Sequence, residues 1–114
     1  MKTIWDSQTL FGYFAWPTAA WLPDGRIVVV CSGFRMRHVC PFGEVAAFYS
    51  GDEGESWSSP VLLSDSLLDS RDAGICVSGN QVLLTTFTSG KAVQKKYMDM
   101  WYRYGGLKNE NDLI

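Results

Sequence analysis

Ser50-Gly51-Asp52-Glu53-Gly54-Glu55-Ser56-Trp57 is the stretch on which the reading of this chain turns. A β-like run from Glu44 to Tyr49 precedes it and another from Trp57 to Leu63 follows, so the chain must reverse within a few residues. Ser50, Asp52, Gly54 and Trp57 are spaced for that task. The Asp52 carboxylate can accept hydrogen bonds from backbone N–H groups of the turn, and Gly54 supplies a positive φ at no steric cost. Trp57 can then lay its ring over the turn and hold the hairpin shut.

Upstream, Pro23-Asp24-Gly25-Arg26 is a second turn signal, with Pro where its φ is preset and Gly two places later. It joins Tyr13–Leu22 to Ile27-Val28-Val29-Val30-Cys31, so 13–32 reads as a hairpin. The return run is apolar at every position, as expected of a strand covered on both faces. Ser32 to Gly43 reads as a loop long enough to suggest a functional role. Downstream, Asp65 to Asp72 is a polar connector. Ala73–Val77, the turn Ser78-Gly79-Asn80 and Val82–Thr88 then repeat the hairpin pattern. After Gly90, Val93, Tyr97, Met100 or Trp101, and Tyr104 fall at helical spacing. The segment 91–104 therefore reads either as a short amphipathic helix or as the remainder of the second sheet.

Composition narrows the function classes. The chain has 114 residues, 46% hydrophobic and 14% aromatic, which is globular rather than disordered. A formal charge of −2 gives no electrostatic reason to expect nucleic acid or an anionic membrane as partner. No run reaches the roughly 18 apolar residues of a membrane span. Cys31, Cys40 and Cys76 lack metal-type spacing, and no cofactor or metal is expected. Free thiols and the absence of a visible secretory signal favour a reducing, cytoplasmic compartment.

The pattern at Ser50, Asp52, Gly54 and Trp57 resembles the Asp box, which recurs in sialidases and related β-propeller proteins. Leu-Pro-Asp-Gly-Arg at 22–26, Arg35 in the loop after the second strand, and Asp-Ser-Arg-Asp at 69–72 extend the likeness over about 11–88. The loop 32–43 also resembles one found in bacterial proteins of that family. The resemblance implies an all-β fold: a partial β-propeller of about two blades from a sialidase-like six-bladed wheel, with the helix as an addition. Blade one would span about 13–63 and blade two would start near 72, in one incomplete segment over 1–114. At roughly 40–50 residues per blade, 114 residues do not close such a ring.

What the resemblance implies about chemistry is less complete. Sialidases open their first inner strand with Phe-Arg-Ile-Pro, whose arginine helps clamp the substrate carboxylate; a guanidinium fork suits that task. Here the stretch is Phe14-Ala15-Trp16-Pro17, with Ala15 in the arginine's place. The acid/base aspartate expected shortly after Arg35 is also missing, and His38, Val39 and Cys40 stand there instead.

The remaining candidates are His38 and Asp72 as acid/base groups, and Arg35, Arg37, Arg71 and Trp16 as sugar-binding groups. Each has a plainer alternative. His38 and the arginines can be solvated loop residues, Arg71 and Asp72 an internal ion pair, and Trp16 core; Asp69 reads as structural. Ser50, Asp52, Gly54 and Trp57 are a staple of the fold and not a site.

Three functions follow as expectations. One is the N-terminal part of a sialidase-like glycoside hydrolase acting on glycans, inactive alone. Another is a non-catalytic carbohydrate- or protein-binding propeller segment, with a lyase of uronate polymers as a third course suited to Arg35 and His38. The partner is a carbohydrate, an anionic sugar among them. Unpaired blade edges are expected to self-associate or to await further blades.

Overall fold

The computed structural model describes residues 2–64, 66–90 and 92–96. Six strands form two antiparallel sheets: β1 (Tyr13–Trp21), β2 (Ile27–Arg35), β3 (Glu44–Ser50) and β4 (Val61–Leu62) in consecutive order, and β5 (Asp69–Ser78) with β6 (Gln81–Ser89). A helical turn covers 92–96. The described residues are thus all-β apart from that turn and form no closed barrel. None of their helices is long and apolar enough to cross a membrane. The part of the helical reading from Tyr97 to Tyr104 lies outside the described residues.

The hairpin β1–β2 closes as its turn residues dictate. Leu22 N donates to Arg26 O at 2.7 Å and Gly25 N to Leu22 O at 3.0 Å, with Gly25 at φ 89°. Asp24 accepts from the backbone N and the Nε of Arg26, which holds its carboxyl below the usual range. The Arg26 guanidinium lies 5.1 Å from the Tyr49 ring centre, tying this turn to β3.

β2 is the centre of the core because both its faces are covered. Val28 and Val30 pack with Val45, Ala47 and Ala73 on one face, and Val29 and Cys31 with Ala46 and Phe48 on the other. The first cluster joins the two sheets through β5. The second is closed by Ile4, Phe14, Phe34 and Trp57, and Trp5 stacks at a tilt on Phe48. The alanines matter as much as the valines, since Ala46, Ala47 and Ala73 let backbones approach closely. Burial pushes the Cys31 thiol up to about 11, so it is an inert core residue.

The turn 50–57 has the predicted geometry. Ser50 Oγ and Asp52 Oδ1 are 2.8 Å apart, and Gly54 N donates to Ser50 Oγ at 2.8 Å. Ser56 donates to Asp52 through both its backbone N (2.8 Å) and its hydroxyl. Trp57 Nε1 reaches Gly54 O at 3.1 Å, and Gly54 has φ 89°. Bonds from Ser56, then Ser50, hold the Asp52 carboxyl down to about 2.

Three boundaries differ from the sequence reading, each for a local reason. β4 has two residues and not seven, because 57–60 close the turn: Ser58 N donates to Tyr49 O, and Tyr49 N to Ser58 Oγ. Pro60 then lacks the N–H that a ladder needs. β2 runs on to Arg35, four residues into the expected loop, as Ser32 and Gly33 still pair with Val45 and Glu44. β5 starts at Asp69 because Asp69, Ser70 and Arg71 pair with Ser89, Thr88 and Phe87. The stretch read as a connector is therefore partly strand.

Candidate functional site

Four residues without the freedom of glycine have positive φ, and three gather at one end of the two sheets: Trp16 (56°), Phe34 (52°) and Asp72 (52°). Each such residue costs on the order of 1–2 kcal/mol relative to ordinary backbone, so the surrounding packing must impose it. Trp16 sits where the β1–β2 register shifts between Ala15 and Thr18, and Asp72 where the β5–β6 register shifts between Arg71 and Gly74. Bulges of this kind turn a side chain out of the regular alternation. They are stitched together from neighbouring strands: Asp72 N donates to Ser32 Oγ at 2.9 Å, and Thr18 Oγ1 to Ala73 O at 3.1 Å. Thr86 Oγ1 donates to Arg71 O at 2.8 Å from β6.

Between the two bulges lies an open cleft of about 520 Å³, lined by Trp16, Thr18, His38, Arg71, Asp72 and Gly74 among others. The His38 ring meets Trp16 edge-on, with centroids 4.9 Å apart at 85°. Tyr13 packs on the same indole at 6.2 Å. Trp16 remains 37% exposed, enough to offer its ring to a ligand.

Behind the cleft is a buried charge cluster. The side chains of Arg35 and Asp69 are both 0% exposed. Arg35 Nη1 donates to Asp69 Oδ1 at 2.6 Å and Nη2 to Oδ2 at 3.2 Å, a two-pronged pairing. Arg35 Nη2 also donates to the backbone oxygen of His38 at 3.0 Å. Arg71 Nη2 donates to Asp69 Oδ2, as does Gln94 Nε2 at 2.7 Å. Two cations thus share one carboxylate, and the Nε of each arginine is buried without a partner. Arg35, Arg71 and Asp69 together carry one excess positive charge at the wall of the cleft, set against the Asp72 carboxylate that also lines it.

The candidate residues therefore divide. Trp16, His38, Arg71 and Asp72 come together around the cleft. Arg35 lies beneath it, spent on Asp69 and on the backbone of His38. Arg37 is exposed on the same loop but does not line the cleft. Arg71 pairs with Asp69, not with Asp72.

Comparison with family models, curated proteins and solved structures finds no match to this chain. The family resemblance thus stands on its motif residues alone.

Sequence reasoning missed Thr18, Ser32, Gly43 and Gln94. Gly43 carries the pair's roof: a Cβ there would lie 2.0 Å from Arg35 Nη1 and 2.4 Å from Asp69 Oδ1. A Gly after Pro41-Phe42 looks like an ordinary loop residue, and nothing near Gln94 in the sequence marks it as buried. Among the described residues no three His, Cys, Asp or Glu side chains gather as a metal site. A second groove, of about 250 Å³, is lined by Trp5, Phe14, Val29 and Phe48 and offers no comparable chemistry.

Proposed function

We propose that this chain is the N-terminal part of a sialidase-like β-propeller that handles glycans at the Trp16–His38–Arg71–Asp72 cleft. One observation carries the reading: the cleft groups come from β1 and β5, the leading strands of the two sheets, and from the loop after β2. In a propeller the leading strand of each blade faces the axis, where ligands bind. The four-strand meander followed by a return strand packed against β1 and β2 supports the same arrangement. Trp16 offers a stacking face for a sugar ring, Arg71 a guanidinium for an acidic or hydroxyl-rich substituent, and His38 with Asp72 acid/base capacity.

Glycoside hydrolysis needs a pair of groups across the scissile bond, and this chain offers at most one side of that pair. The isolated chain therefore binds acidic sugars without turning them over. Ala15 in place of the clamp arginine, and the missing loop aspartate, also favour a second reading as a binding-only propeller segment. A uronate-polymer lyase is the enzymatic variant that dispenses with that aspartate.

The test is a titration of the chain with sialosides, uronate oligosaccharides and neutral hexoses, followed by NMR, beside a fluorogenic sialoside assay. Binding of acidic sugars that Trp16→Ala abolishes, with no fluorophore release, is the expected result. Release by this chain alone contradicts its inactivity in isolation, and indifference to every sugar removes the glycan reading. An extended reading frame that does turn over a sugar separates enzyme from binder.

A further inference from the structure

We propose that Asp69 is a positioning residue whose pairing with Arg35 sets both walls of the cleft at once. The inference rests on the glycan reading only for its ligand arm. The two walls belong to segments more than thirty residues apart in sequence: His38 on the loop after β2, Arg71 on β5. Local contacts hold each of them, the Trp16 ring at His38 and the Phe87 and Thr86 pairing at Arg71, but these do not link one to the other. His38 lies in a stretch without regular structure, and Arg71 adjoins a bulge.

What joins them is one carboxylate. Arg35 spans both Asp69 oxygens and uses the same Nη2 to hold the His38 carbonyl at 3.0 Å. Asp69 Oδ2 in turn takes Arg71 Nη2, which fixes where that guanidinium stands beside the cleft. Gln94, 7% exposed, donates to the same oxygen and ties the 92–96 turn to the node. The lid of the node is backbone: Gly43 O accepts from Ser70 N at 2.8 Å, directly beside Asp69.

Only a planar fork can do this work. Arg35 makes three hydrogen bonds in two directions, whereas a lysine in its place would offer a single point charge on a flexible stem. Burial removes the competing water, so the directions are held. Arg35 and Asp69 touch no ligand themselves; they act through His38 and Arg71.

The experiment uses the full chain and its one histidine. The His38 ring, edge-on to Trp16, gives resolved imidazole signals displaced by the indole ring current. In Asp69→Asn, folded as judged by its circular dichroism, those signals are expected to move toward free-imidazole positions, before any ligand is added. With sodium glucuronate as probe and glucose as neutral control, glucuronate affinity is expected to fall about tenfold or more, the scale of one charge-assisted hydrogen bond. Gln94→Ala removes one donor to the carboxylate but leaves both ion pairs in place, and is expected to weaken binding only about two- to threefold. Arg35→Lys is expected not to restore the His38 signals, although it keeps the charge.

If Asp69→Asn does not fold, Arg35→Lys carries the same two readouts. Wild-type His38 signals in whichever of these two variants folds would reduce Asp69 to a structural residue and overturn the proposal. Failure of the wild-type chain to bind glucuronate would instead count against the glycan reading, leaving the ligand-free His38 readout to decide the role of Asp69.

Discussion

A single added methyl group at Gly43 tests the buried node most directly. The ideal Cβ lies 2.0 Å from Arg35 Nη1, 2.6 Å from Arg35 Cζ and 2.4 Å from Asp69 Oδ1, all well inside van der Waals contact. Elsewhere an arginine tip swings aside at little cost, but this one is 0% exposed and held by Asp69 and His38. The methyl therefore either separates the pair or shifts the 40–43 turn. Separating a buried ion pair costs about 3–5 kcal/mol and overpacking about 1–3 kcal/mol. We take about 3 kcal/mol as the expected loss for Gly43→Ala. Two controls bracket it. Gly51→Ala meets nothing within 4 Å and has ordinary φ, so its effect should stay within about 0.5 kcal/mol. Gly25→Ala also meets nothing but stands at φ 89°, and should lose about 1 kcal/mol to backbone strain. With a urea slope of about 1.5 kcal/mol per molar, Gly43→Ala lowers the unfolding midpoint by about 2 M. Tryptophan fluorescence in a urea series reads this. A Gly43→Ala midpoint equal to that of Gly51→Ala would refute the account of the node as a clamped, close-packed pair.

Two further outcomes are expected. The Asp52 carboxyl is held at about 2 against an ordinary 3.8, so its contribution to stability is present above about pH 4 and is lost as pH falls through about 2. Unfolding midpoints of wild type and Asp52→Asn should therefore differ at neutral pH and converge in strong acid, and a constant gap across that range would show that the turn does not depend on the charge. β6 is exposed along nearly its whole length, with Leu83 at 63% and Phe87 at 50%, and β5 as its sole strand neighbour among the described residues. Light scattering should show self-association that Leu83→Lys reduces; a wild-type chain that stays monomeric at high concentration counts against an adhesive edge.

The elements whose cause is local were readable from the sequence. Pro23-Asp24-Gly25-Arg26 and Ser78-Gly79-Asn80 carry their own turn chemistry, and Ile27–Cys31 announces cover on both faces by its unbroken apolar run. Asp52 and Trp57 declare the third reversal. The site is different because its cause is tertiary. Nothing in Phe14-Ala15-Trp16-Pro17 asks for a left-handed tryptophan, and nothing in Asp69–Asp72 asks for a left-handed aspartate. Those conformations follow from Ser32 and Thr18 bonding to the backbone of β5 across the sheets. Charge type was visible at Arg35 and Arg71, but which arginine would face solvent was not. That depends on Asp69, thirty-four residues after Arg35, and on Gln94, whose neighbours in sequence are unremarkable surface residues.

The buried node also bears on what the cleft is for. Taking an arginine and an aspartate out of water costs several kcal/mol per ion, and an apolar pair of equal volume often stabilises a fold as well or better. Stability alone therefore gives no reason for Arg35 and Asp69 to stand where a valine and a leucine would serve. An ion pair differs from an apolar pair in holding direction: its hydrogen bonds set angles as well as distances. Here those directions lead to the backbone carbonyl of His38 and to the guanidinium of Arg71, two residues that line the cleft from different segments of the chain. The core clusters around Val30 and Phe48 meet no such requirement and are built of apolar side chains throughout. Among the described residues, the buried charges thus stand at the one place where the segment after β2 and the start of β5 meet.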